Sequence, residues 1–132
     1  MPKDKIVVKV DGLVKTFASR SGKTRIDAVK NVSLEVEEGK TLGIVGESGS
    51  GKSTVARCIT GLLKYDSGSV NILGRDISAE SSRQMRAFRK NLQIVFQEPL
   101  ESLDPRYPIG KSIAEPLKLH TSFAKDEIKN RV

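Results

Sequence analysis

The sequence predicts an α/β fold with an antiparallel β layer at its N-terminal end, and three observations predict it. Val32, Leu34 and Val36 alternate with Ser33 and Glu35, the period-two pattern of a half-exposed antiparallel strand. Leu42–Val45 is a short unbroken apolar run, as a buried strand requires. Directly after it, a Gly/Ser-rich stretch leads into Val55, Ile59 and Leu62, which recur at helical spacing. The other elements are placed around this strand, loop and helix.

Taken in order, Ile6–Val10 forms a first strand, and Asp11-Gly12 turns the chain into a second short strand, Leu13–Phe17. Ala18–Arg25, with Ser19, Ser21 and Gly22, suits an exposed hairpin tip or insertion. Glu37-Glu38-Gly39-Lys40 then turns Val32–Val36 into the buried strand 41–45. The helix Val55–Leu63 presents one apolar stripe to the sheet, with Gly61 near its end. Asp66-Ser67-Gly68 turns into the strand Ser69–Leu73, which Gly74 ends. Residues 79–90 are predicted helical, with Met85 and Phe88 buried. Leu92, Ile94 and Phe96 alternate as a further core strand. It stops at Gln97-Glu98-Pro99, because proline cannot continue a ladder and restricts its predecessor. Pro105 and Pro108 keep the chain irregular up to a helix over 110–119, and a last helix starts at Asp126.

The loop carries the chemistry. Gly46, Gly51, Lys52 and Ser53 match the phosphate-binding pattern GxxxxGK[ST], in the strand-before, helix-after context that the pattern needs. A triphosphate can be held by a loop only if successive backbone N–H groups converge on its oxygens, which demands conformations and close approach that a Cβ obstructs. Gly46, Gly49 and Gly51 remove that obstruction. The loop feeds a helix start, where unpaired N–H groups and the positive end of the dipole face the anion. Lys52 reaches the β- and γ-phosphates as a mobile point charge, and the Ser53 hydroxyl is a hard oxygen ligand for the accompanying Mg²⁺. The candidate seat is thus Gly46, Glu47, Ser48, Gly49, Ser50, Gly51, Lys52, Ser53 and Thr54, with the Glu47 side chain expected to point outward. A plain Gly/Ser turn explains the glycines but not a Lys-Ser pair at the helix start.

Composition bounds the rest. A chain of 132 residues fits one domain, though it is short for a nucleotide-driven machine with several motifs. No run approaches the roughly 18 apolar residues of a membrane-spanning helix. Met1–Lys5 passes straight into Ile6–Val10 without a secretory signal, so a cytosolic location is expected. The single Cys58 excludes a disulfide framework within the chain and suits a buried apolar position. The net charge of +7 raises nucleic-acid binding, but the 23 basic residues are scattered among 16 acidic ones. Their one concentration, Arg83, Arg86, Arg89 and Lys90, reads first as a solvated helix face.

The order of these features resembles the ATP-binding subunits of ABC transporters, most closely the oligopeptide/dipeptide importer group. The resemblance covers nearly the whole chain. It rests on LVKTF at 13–17, AVKNVSLEVEEGKTLGIVGESGSGKST at 28–54, SGSVNILGRDI at 67–77 and LQIVFQEPLESLDPRYPIGKSIAEPL at 92–117. The last is the most specific, because VFQ followed by EPLESLDPR resembles the glutamine loop of peptide-importer ATPases.

The resemblance implies an incomplete ABC-type P-loop NTPase nucleotide-binding domain with an N-terminal antiparallel β subdomain. The core with that subdomain would occupy 1–97, and the glutamine-loop exit and start of a helical subdomain 98–132. It implies ATP and Mg²⁺ as cofactors, Phe17 stacked on adenine, and Gln97 touching Mg²⁺ or the attacking water. On the residues alone, Phe17 is equally a core aromatic and Gln97 a solvated side chain. The implied partners are transmembrane permease subunits, a second ATP-binding subunit, identical or paralogous, and indirectly an extracytoplasmic solute-binding protein. No nucleic acid is expected, and the location is peripheral, on the cytoplasmic side of the membrane.

The sequence departs from the family pattern in lacking an LSGGQ-like signature, the acidic strand end that supports Mg²⁺ and catalysis, and a switch histidine. His120 is the only histidine and lies far ahead of the switch position. The span therefore resembles an N-terminal half that is inactive alone and leaves the edges beside 41–45 uncovered. Two other readings stand beside it: a short nucleotide-binding module without turnover, and a P-loop ATPase of nucleic-acid metabolism.

Overall fold

The computed structural model describes residues 5–19, 24–98 and 103–132. The expected loop-tip residues Ser21 and Gly22, and Pro99 as strand terminator, lie outside them. The chain forms two compact units, Met1–Met85 and Arg86–Val132.

In the first unit an antiparallel sheet of four strands has the order β2-β1-β3-β4, with β1 at Ile6–Ala18, β2 at Arg25–Glu37, β3 at Ser67–Ile72 and β4 at Arg75–Asp76. The predicted turn at Asp11-Gly12 is not a turn, because β1 runs through it unbroken. The two residues sit at a register shift instead, with Gly12 at φ 58° and its N–H donating to Ser33 Oγ at 3.0 Å. Both halves of β1 keep β2 on one side and β3 on the other, so the extra residues are absorbed as a bulge. Strand β3 returns to β4 through Leu73-Gly74, both at positive φ, the two-residue hairpin geometry that matches strand twist.

Helix α1, Lys52–Ile59, lies against β2 and buries Val55 and Cys58. Its end is a Schellman turn: Leu62 N–H donates to Arg57 O at 2.9 Å and Gly61 N–H to Cys58 O at 3.1 Å, with Gly61 at φ 65°. The turn corrects the predicted stripe. Leu62 leaves the helix and stands exposed, so Cys58 takes the buried place one turn after Val55. The core of this unit joins Val10, Leu13, Val29, Val70 and Ile72 from the sheet to Val55 and Cys58 from α1, with Ile77 and Met85 also buried.

Helix α2, Ser82–Phe88, starts with a capping box. Ser81 Oγ donates to Gln84 Oε1 at 2.5 Å, and Gln84 N–H returns to Ser81 Oγ at 3.3 Å. Met85 and Phe88 are buried as predicted, while Arg83, Arg86, Arg89 and Lys90 form a solvated face. In the second unit α3, Ile109–His120, and α4, Lys125–Arg131, pack together and bury Ala114 and Ile128. Asp126 and Glu127 in the first turn of α4 and Lys129 and Arg131 in its last complement the helix dipole.

Two predicted strands are absent. Residues 41–45 and 92–96 pair with no strand among the described residues, and Val45 is 97% and Val95 93% exposed. An apolar run encodes a willingness to extend, but the ladder needs a neighbour that the described residues do not provide beside either run. No described helix is long and apolar enough to cross a membrane.

Candidate functional site

The segment between the extended run 41–45 and α1 is a tight loop closed on its own lysine. Ser50 N–H donates to Glu47 O at 3.2 Å, and Gly49 and Gly51 adopt φ 81° and 93°, open to glycine at little cost. Gly51 is the N-cap of α1, with no side-chain hydrogen bond capping the helix start and no acidic residue in the first turn. Lys52 Nζ turns back into the loop and donates to Gly46 O at 2.8 Å, Glu47 O at 2.6 Å and Ser50 Oγ at 3.3 Å. The ammonium group is thereby held by two main-chain carbonyls and one hydroxyl. Glu47, Ser48, Gly49 and Ser53 are exposed, and Thr54 is half-buried.

What holds the loop is β2. Register along β1 and β2 passes from Lys15 opposite Val29 to Thr16 opposite Asp27, which leaves Ala28 as the extra residue of a bulge. The Ala28 carbonyl lies where a Cβ on Gly51 would go. Beside it, Asp27, Ala28, Val29, Lys30, Gly49 and Ser50 help to line an open cavity of about 330 Å³. Gly46 is restricted too, since a Cβ there would come within 2.7 Å of Ser50 Oγ.

Phe17 sits near the end of β1, opposite Ile26 on β2, and is 41% exposed. Lys15 Nζ is 5.5 Å from its ring centroid, within cation–π range. Phe17 and the loop therefore meet β2 at neighbouring residues, Ile26 and Ala28. Gln97 lies in the second unit and is exposed. Among the described residues no three His, Cys, Asp or Glu side chains are grouped as a metal site.

Sequence reasoning missed Asp66, which it treated only as a turn residue. Its carboxylate accepts from Lys15 Nζ at 2.9 Å, Thr16 N at 2.6 Å and Thr16 Oγ1 at 2.9 Å. These bonds, that from Lys15 foremost, hold the carboxyl down to about 2. The only local signal was Asp at a turn start; its partners lie some fifty residues away.

The family model for ABC transporters matches residues 29–131. The chain belongs to the ABC transporter family. This ABC chain is 44% identical to the oligopeptide transport ATP-binding protein OppD of Mycobacterium tuberculosis, covering 96% of this chain and 22% of that protein. It is 41% identical to the oligopeptide transport ATP-binding protein OppF of Escherichia coli, covering 97% of this chain and 41% of that one. It thus spans about a fifth to two fifths of the length of these curated relatives. Among solved structures it is similar to the dimeric ATP-binding cassette MJ0796 in a post-hydrolysis state bound to ADP and Pi. The TM-score is 0.81 at 29% identity, covering 94% of this chain and 53% of that one. The α/β fold with an N-terminal antiparallel β layer is thus the ABC cassette fold.

Proposed function

We propose that this chain is the ATP-binding portion of an ABC transporter ATPase subunit that couples ATP binding and hydrolysis to import of oligopeptides, dipeptides or a related solute. The observation that carries the reading is the Lys52 ammonium held by Gly46 O, Glu47 O and Ser50 Oγ at the open start of α1. Lys52 would exchange these neutral acceptors for the anionic phosphate oxygens of a nucleotide. Main-chain N–H groups of the loop and of the first turn of α1 complete the seat. The solute class is supported by the likeness to oligopeptide transport proteins.

The residues present fit Mg²⁺ that travels with the nucleotide. Ser53 is exposed in the first turn of α1 and would ligate it. Bound Mg²⁺ would neutralise charge on the phosphates. Phe17, presented near the loop by β2, would stack on adenine. In this reading 1–97 is the nucleotide-binding core and 98–132 opens a helical subdomain that transmits nucleotide state to permease subunits at the cytoplasmic face of the membrane. The complete subunit works as a dimer with an identical or paralogous partner, as the dimeric MJ0796 cassette suggests. Hydrolysis belongs to the complete subunit.

Thermal unfolding with and without MgATP tests the reading. The chain is expected to unfold at higher temperature with MgATP, and Lys52→Ala to abolish the shift. No shift in this chain or in a full-length subunit containing it would refute the proposal.

A further inference from the structure

We propose that Asp66 is a positioning residue for base recognition: by gripping Lys15 and Thr16 it fixes how Phe17 is presented to the nucleotide's base. This rests on the reading of Phe17 as the stacking aromatic.

The ladder between β1 and β3 has its last pair at Val14 and Ser67, so beyond Val14 strand β1 has no strand partner on that side among the described residues. Phe17 lies on this overhang. Asp66 stands where the ladder would continue. Its N–H donates to Val14 O at 2.9 Å, and its Oδ2 accepts the Thr16 N–H at 2.6 Å, replacing the strand carbonyl that is missing there. The same oxygen accepts Thr16 Oγ1, and Oδ1 holds Lys15 Nζ at 2.9 Å. The Lys15 side chain is only 14% exposed, so its ammonium is kept beside the Phe17 ring.

Asp66 also follows α1, the helix that grows out of the phosphate loop. One carboxylate thus joins the exit of the helix that would hold the phosphates to the strand end that would hold the base. An aromatic on an untethered strand end must be ordered when the base binds, and that ordering opposes binding. A tethered one is already in place. The three bonds of the Asp66 carboxylate all go to the two residues before Phe17.

Equilibrium binding of Mg-tripolyphosphate and of MgATP to the chain separates phosphate from base recognition. Asp66→Ala is expected to weaken MgATP roughly threefold to thirtyfold while leaving tripolyphosphate unchanged, and to add nothing in a Phe17→Ala background. Lys15→Met, which keeps the stem, is expected to shift MgATP in the same direction and serves if Asp66→Ala does not fold. Equal losses for both ligands, no loss for either, or an additive loss with Phe17→Ala would overturn the proposal. If Phe17→Ala leaves the ratio of the two affinities unchanged, the stacking assignment falls and this proposal with it, while Lys52-dependent tripolyphosphate binding keeps the phosphate site. Binding of neither ligand by the unaltered chain overturns both.

Discussion

The Ala28 carbonyl lies against the α-carbon of Gly51, with no room between them for a methyl group. A bulge in the β1–β2 ladder puts that carbonyl out of register, and the glycine-rich loop meets it at Gly51. The loop is therefore shaped from outside as well as by its own glycines. Gly51→Ala meets both the carbonyl and the strain of φ 93°. It is expected to destabilise the chain by about 1–3 kcal/mol in urea unfolding and to remove the MgATP-induced thermal shift. Gly43→Ala, with nothing within 4 Å, is the control and is expected to stay within about 0.5 kcal/mol.

Among the described residues Lys52 makes exposed hydrogen bonds inside the loop, so its loss is expected to touch the free protein little. Lys52→Ala is expected to change stability without nucleotide by less than about 1 kcal/mol while abolishing ligand stabilisation. Parallel urea titrations with and without MgATP measure the two effects.

Asp66 sets an acid limb. Its carboxyl lies at about 2 in the folded chain against 3.8 for an unperturbed one. A depressed folded value stabilises the charged form, so its contribution is fully present above pH ~4 and is lost as pH falls from ~4 toward ~2. Acid unfolding followed by circular dichroism is expected to be shallower across that window for Asp66→Asn. An unchanged acid limb would remove the carboxylate from this role.

Leu13 is fully buried where the sheet meets α1. Leu13→Ala leaves a cavity in the core and is expected to cost about 2–5 kcal/mol. The urea midpoint measures it, with exposed Leu119→Ala as the comparison, expected within about 0.5 kcal/mol.

Cys58 has no exposed surface, and burial pushes its thiol up. It is expected to react with a disulfide reagent only through unfolding, so the labelling rate should fall when MgATP is present and rise with urea. Fast labelling of the folded chain would contradict its place under the sheet.

The sequence by itself determined several local elements and the place of the glycine-rich loop at a helix start. Helical spacing, Gly61 at a helix end and Gly51-Lys52-Ser53 at a helix start are short-range patterns whose causes lie within a few residues. Tertiary structure decided everything that needs a partner from afar. Gly12 became a bulge because β2 and β3 flank it on both sides, and the runs at 41–45 and 92–96 have no ladder partner among the described residues because a ladder takes two strands. Asp66 acquired its role from Lys15 and Thr16, about fifty residues away, and Gly51 from the carbonyl of Ala28. Backbone hydrogen bonds and carboxylate pairs across such separations follow from how the chain closes, which no window of neighbouring residues records.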